Sequence, residues 1–262
     1  LPVTEPLKYT DEEALLVAKH GLTPEQIQWR RKKIRELTAR LFAQEYPEDP
    51  RACFLASGNG YFADIDLSTV LTAPYAEPSR DRRIVGGLDF GQSSDFTVLS
   101  LGDADSLQEV ALTRVNRLPW SEIRQRIVDE CVKWNVGTLY PEWNSIGGPN
   151  IDELRKEFAA RGHRIAIVAF KTTPQSKPPL ITGFHHALGE AGLKLLPDAV
   201  GRHELTAFTA SQTPSGAWKY EGLPHDDTVI ARAIMWHAIA GGSRLSVGAA
   251  PDVLQDFFGG YG

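Results

Sequence analysis

Four carboxylates stand where an apolar segment ends or begins. Asp89 closes "RIVGGLDF", Glu142 closes "GTLYPEW", and Asp226 and Asp227 open "HDDTVIARAIMWHAIA". An acid at the end of a buried strand is partly desolvated, and several acids brought together repel one another unless a cation compensates them. Mg²⁺ or Mn²⁺ is the natural counter-charge, because a few carboxylates with retained water suit small hard cations. Zinc fits poorly: His185, His186, His225 and His237 have no HExxH or CxxC companion, so the nitrogen and sulfur donors that zinc prefers are absent. Each acid alone also has a plain structural reading. Asp89 could cap the "FGQSS" turn, Glu142 could be a solvent-facing strand end, and Asp226 is a good helix N-cap. Coincidence explains their common placement, at strand ends and a helix start, poorly.

The elements that must position these acids begin at residue 83. "RIVGGLDF", "FTVLSLG" and "LQEVALTRV" are three consecutive β-like runs with short turns, an antiparallel meander. "SEIRQRIVDECVKW" then sets Ile123, Ile127, Cys131 and Trp134 on one helical stripe. Alternation follows: strand "GTLYPEW", helix "NIDELRKEFAARG", strand "RIAIVAF", helix "PLITGFHHALGEAG" and strand "LKLLP". "LTAFTASQTPSGAWKYEG" is a second hairpin with Pro214, Ser215 and Gly216 as its turn, and 225–240 is the last strong helix. A meander followed by βα crossovers makes a mixed sheet with helices on both faces, where distant segments converge at strand ends and helix N-termini.

Residues 1–82 read as a mainly helical linker segment. "YTDEEALLVAKHG" has Thr10 and Glu13 at capping-box spacing and Gly21 as a stop, and the next helix repeats the signal with Thr23, Pro24 and Gln26. Ile27, Ile34, Leu37 and Leu41 share one stripe of that second helix. Arg30, Arg31, Lys32, Lys33 and Arg35 form its other face, either solvated or a phosphate or partner contact. "APYAEPSRDRR" at 73–83 is a Pro-rich connection, 83–241 the main domain, and 242–262 a C-terminal tail with an apolar patch at Val253, Leu254 and Phe257. The chain opens "LPVTEPL" without Met and is expected to be a piece of something longer. Cys53 and Cys131 lie in dissimilar contexts with no CxxC spacing, which favours a reducing, intracellular compartment. A net charge of −5 is not that of a general nucleic-acid binder, so any such contact must be local. No apolar run approaches the roughly 20 residues of a membrane span.

The order βββαβαβ, with an acid on the first strand, an acid on the fourth and acids on a late helix, resembles the RNase H-like fold of two-metal nucleases. The words "GLDFGQSSDFTVLSLGD", "LYPEWNSIGG", "FKTTPQSKPPLITGFHHAL" and "YEGLPHDDTVIARAIMWHA" are similar to the C-terminal nuclease domain of the large terminase subunit of tailed bacteriophages. "LTPEQIQWRRKKI" and "FAQEYPEDPRACFLASGNGYF" are similar to the segment that joins the packaging ATPase to that nuclease. The resemblance covers residues 1–240. It implies an α/β, RNase H-like mixed sheet and a metal-dependent endonuclease, a phosphodiester hydrolase cleaving duplex DNA with weak sequence preference during viral genome packaging. It implies two Mg²⁺ or Mn²⁺ ions at the scissile phosphate, bridged by Asp89, with Glu142 and one of Asp226 or Asp227 completing the shells. It also implies the portal protein and small terminase subunit as partners, and the cytoplasm of the infected bacterial host as the place of action. The family's ATPase half carries a Walker A loop. No GxxxxGK[ST] occurs here and "ASGNGYF" lacks the Lys, so this chain is expected to lack the motor.

DNA contact of the kind this resemblance implies holds the backbone rather than reading bases. Lys171 and Lys177 flank the Pro-containing loop after the fifth strand, and Lys219 lies in the late hairpin; they are the expected backbone contacts, or ordinary surface lysines. His225, just before the acid pair, is a further phosphate contact or a structural residue. Three other readings stay open: a junction-resolving or transposase-like nuclease of the same fold, a sugar or acetate kinase of the actin-like superfamily, and a non-catalytic docking module. Metal-dependent nicking of plasmid DNA separates them.

Overall fold

The computed structural model describes residues 8–37, 42, 60–91, 95–143, 147–212, 218–222 and 224–242. The chain divides into two compact units, Leu1–Gly58 and Asn59–Gly262. In the first, helix α1 (Asp11–His20) starts at a capping box. The Glu13 amide donates to Thr10 Oγ1 at 3.2 Å, the Thr10 amide donates to Glu13 Oε2 at 2.8 Å, and Gly21 ends the helix at φ 66°. Helix α2 (Pro24–Leu37) repeats the exchange between Thr23 and Gln26. Its basic face closes on acids of the same unit: Arg30 pairs with Glu12, Arg31 with Glu13 and Lys33 with Glu36, each at 2.6 Å. Leu41 and Cys53 lie outside the described residues.

Residues 60–82, assigned to the linker by composition, hydrogen-bond within the second unit. The Ala73 amide donates to Leu195, and the Leu195 amide donates to Val70, the last residue of helix α3 (Leu67–Val70), both at 2.9 Å. The sheet of this unit has β1 (Ile84–Asp89) at its centre. β2 (Thr97–Asp103) lies antiparallel on one side and carries β3 (Gln108–Val115); β4 (Thr138–Pro141) lies parallel on the other and carries β5 (Ala166–Ile167), giving the order β3-β2-β1-β4-β5.

The two-residue period of β1 sends Ile84 and Leu88 to one face and Val85, Gly87 and Asp89 to the other. On the first face Ile84, Leu88, Leu99 and Leu101 pack with Ile123 and Ile127 of helix α4 (Trp120–Lys133) and with Ile151 and Leu154 of helix α5 (Gly147–Ala160). Helix α6 (Lys177–Gly189), helix α7 (Ala199–Ala207) and the hairpin of β6 (Phe208–Gln212) and β7 (Trp218–Gly222) lead to helix α8 (Asp227–Gly242). That last helix covers the other face. It is apolar nearly all round, which suits a helix buried between a sheet and its neighbours. Gly87 permits the approach: a Cβ there would run into the carbonyl of Ala231 and the amide of Met235. A bulkier residue would push the start of α8 away from the end of β1.

Three segments differ from expectation. "RIAIVAF" forms only the two-residue β5, an edge strand kept short, as exposed edges commonly are. "LKLLP" forms no ladder, because its amides go to three places: Lys194 to the Leu107 carbonyl, Leu195 to Val70, and Leu196 to the Glu109 carboxylate. Residues before the hairpin form α7, whose cap is the Asp198 side chain, accepting from the Val200 and Gly201 amides. The hairpin therefore begins at Phe208 rather than Leu205, and its expected turn at 214–216 lies outside the described residues.

Candidate functional site

Because β1 and β4 run parallel, they finish at the same end of the sheet. Leu88 is paired with Pro141, so Asp89 and Glu142 follow as neighbours, and the Glu142 amide donates to the Leu88 carbonyl at 2.7 Å. The Asp89 and Glu142 carboxyls share a hydrogen bond. Asp89 is only 8% exposed. Burial, then the charge of Glu142, the shared hydrogen bond and the charges of Asp227 and Asp226, push the Asp89 carboxyl well above the usual range. Beyond Asp89, Thr97 Oγ1 donates to the Gly91 carbonyl at 2.6 Å and accepts from the Gly91 amide at 3.2 Å.

The other acids come from the start of α8. The Asp226 carbonyl accepts the first helical bond, from the Ile230 amide at 2.9 Å, while its carboxylate lies 3.5 Å from Lys177 Nζ. Asp227 Oδ2 accepts the Phe96 amide at 3.2 Å. Burial pushes the Asp227 carboxyl up to about 6; the Phe96 amide opposes this, and the charges of Glu204, Asp95 and Asp226 add to it. His225 Nδ1 stands between two acids, 3.9 Å from Asp95 and 3.8 Å from Asp227.

Asp89, Glu142, Asp226, Asp227, Lys177 and His225 are thus brought together by four separate elements. Lys171 lies beside them, its Nζ 5.0 Å from the ring of Trp143, the residue after Glu142. Lys219 is different: among the described residues it pairs with Glu221 at 2.7 Å and with none of the four carboxylates. Among the described residues, no three His, Cys, Asp or Glu side chains already stand as a cation shell. The acids meet their mutual repulsion through the hydrogen bond between Asp89 and Glu142, Lys177 on Asp226 and the Phe96 amide on Asp227. The roles of Phe96 and Thr97 beside the acids have no signature in sequence spacing, since they rest on backbone groups of separate segments.

No protein-family model matches the chain. Its sequence aligns with the large terminase subunit of Thermus virus P23-45 at 25% identity over 246 residues, 89% of this chain and 48% of that protein. The chain is similar in sequence to phage large terminase subunits. It spans about half the length of the curated relatives it matches. The large terminase nuclease from thermophilic phage G20c has the same fold, with a TM-score of 0.59 at 22% identity over 68% of this chain and 98% of that one. A second crystal structure of that terminase nuclease, with bound magnesium, gives 0.57 at 23% identity over 69% and 98%. The architecture is therefore the RNase H-like, mixed α/β arrangement of the terminase nucleases. Among the described residues, no helix is long and apolar enough to cross a membrane.

Proposed function

We propose that this chain is an endonuclease of viral genome packaging, which hydrolyses phosphodiester bonds of duplex DNA with weak sequence preference and uses two divalent cations, Mg²⁺ or Mn²⁺. The observation that carries this reading is the hydrogen-bonded Asp89–Glu142 pair at the common end of two parallel strands, with Asp226 and Asp227 close enough for their charges to raise Asp89 further. An all-oxygen donor set fits hard cations, and the magnesium-bound structure of the G20c nuclease supports the same class. Bound there, such cations would polarise the scissile phosphate and lower the pKa of an attacking water.

The chain's own residues have distinct tasks. Asp89, the most central and most buried of the strand-end acids, would be the shared ligand, and Glu142 and one of Asp226 or Asp227 would complete the donor set. Asp89, whose carboxyl is pushed well above its usual range by burial and by the charge of Glu142, would ligate a cation only as the carboxylate, so its ligation would release a proton. Asp227, raised to about 6, is largely ionised at neutral pH. Lys177, now 3.5 Å from Asp226, would be free to hold the DNA backbone if that carboxylate served a cation instead. Lys171 and Lys219 extend the same sequence-independent grip. The portal protein and small terminase subunit are the proposed partners, and the infected bacterial cytoplasm the proposed place of action. Purified chain incubated with plasmid DNA and Mn²⁺ or Mg²⁺ should give nicked and linear forms, and EDTA should stop it. Cleavage undiminished by the chelator would overturn the reading.

A further inference from the structure

The first turn of α8 is capped from outside. An aspartate at a helix N-cap ordinarily uses its carboxylate to accept the amide of the second or third helical residue. Asp226 holds that position here, since the Ile230 amide donates to its carbonyl. The second helical amide, that of Thr228, donates instead to Glu204 Oε2 at 2.8 Å, and Glu204 belongs to α7. Among the described residues the Asp226 carboxylate accepts no amide; its partner is Lys177.

Glu204 is 2% exposed, and a carboxylate so buried needs compensation. Arg114 of β3 supplies it, with Nη2 3.2 Å from Glu204 Oε1. The same guanidinium rests on the Phe96 ring, its carbon 3.3 Å from the centroid, and the Phe96 amide holds Asp227. One chain of contacts therefore runs from β3 and α7 to the Thr228 amide and, through Phe96, to Asp227.

We propose that Glu204 is a positioning residue: by capping α8 from α7 it releases the Asp226 carboxylate for the cation site. The metal-ligand part of this proposal rests on the function proposed above, whereas the capping part does not. Uncapped, the helix would recruit Asp226 to its own amides and withdraw it from the site.

Two measurements test it without relying on cleavage. The first is a thermal melt of EDTA-treated Asp226→Ala. Because the Asp226 side chain caps no helical amide, the melting temperature should equal or exceed that of the wild type; a fall of the kind that follows a lost N-cap would overturn the proposal. The second is Mn²⁺ binding by titration calorimetry. Glu204→Ala should bind about tenfold more weakly than wild type, whereas Glu204→Gln, which keeps an acceptor for the Thr228 amide, should stay within about threefold. Wild-type affinity in Glu204→Ala, or equal losses in the Gln and Ala variants, would overturn the positioning role. If Glu204→Ala does not fold, the Gln variant and the Asp226→Ala melt decide. A wild-type chain that binds no Mn²⁺ would remove the metal-site reading and the positioning role with it, and the melt would still show which residue caps the helix.

Discussion

Two sets of charge are buried along α8, and they are handled in opposite ways. Part-way along the helix, Arg232 and Glu109 of β3 are both 0% exposed and matched: Nε donates to Oε1 at 3.0 Å and Nη2 to Oε2 at 2.8 Å. Ser100 Oγ and the Leu196 amide complete the Glu109 carboxylate at 2.7 and 2.9 Å. At the start of the same helix four carboxylates crowd together, with Lys177 on Asp226, the Phe96 amide on Asp227 and a hydrogen bond between Asp89 and Glu142 among the contacts of the described residues. Matched charge ties α8 to the sheet. Crowded like charge raises the free energy of the fold, and the proposed cation site would put that crowding to use.

The contrast breaks most sharply at Asp89. Asp89→Ala should reduce metal-dependent plasmid cleavage by a factor of about 10³ or more, while the melting temperature without metal stays equal or rises because a repelling acid is gone. Lower stability with near-normal cutting would make Asp89 a structural residue after all. The matched pair should behave in reverse: Arg232→Met leaves Glu109 buried and unpaired, a loss of about 3–5 kcal/mol in chemical denaturation, and adding Glu109→Leu should recover much of it. Full stability in the single variant would show that the pair holds nothing.

A smaller effect is expected with pH. With Asp227 raised from 3.8 to about 6, the folded chain keeps a proton that the unfolded chain releases, so its contribution to metal-free stability falls as pH rises across that window. The fall is of order 3 kcal/mol for this group, and Asp89, shifted in the same direction, adds to it. Asp227→Asn should flatten the pH dependence of the melt; an unchanged slope would contradict the assignment. Smallest of all, neutralising Lys171, Lys177 or Lys219 singly should reduce the salt dependence of DNA binding by about one phosphate contact each. A lysine whose loss leaves the slope unchanged is a surface residue only, and Lys219, already paired with Glu221, tests this most severely.

What was legible in the sequence follows the reach of each interaction. The meander, the Ile123 and Ile127 stripe of α4 and both capping boxes depend on residues a few positions apart, and periodicity exposes them. The acids were visible because carboxylates at the ends of apolar runs are costly wherever they occur. Helix α7 was not, since Gly201 and His203 weaken its pattern and the only start signal was Asp198. Glu204 had no signature at all: its value lies in meeting Thr228 and Arg114, 24 and 90 positions away. The failure of "LKLLP" to form a strand has the same origin, in amides claimed by Leu107, Val70 and Glu109.

If the four acids form one cation site, anomalous diffraction from crystals soaked in Mn²⁺ will show it. Peaks are expected between Asp89, Glu142 and the Asp226/Asp227 pair, with Asp89 within ligand distance of each ion, and their loss in Asp89→Ala. Mn²⁺ bound elsewhere while these carboxylates stay hydrogen-bonded to one another, in a chain that still cuts DNA, would contradict the account.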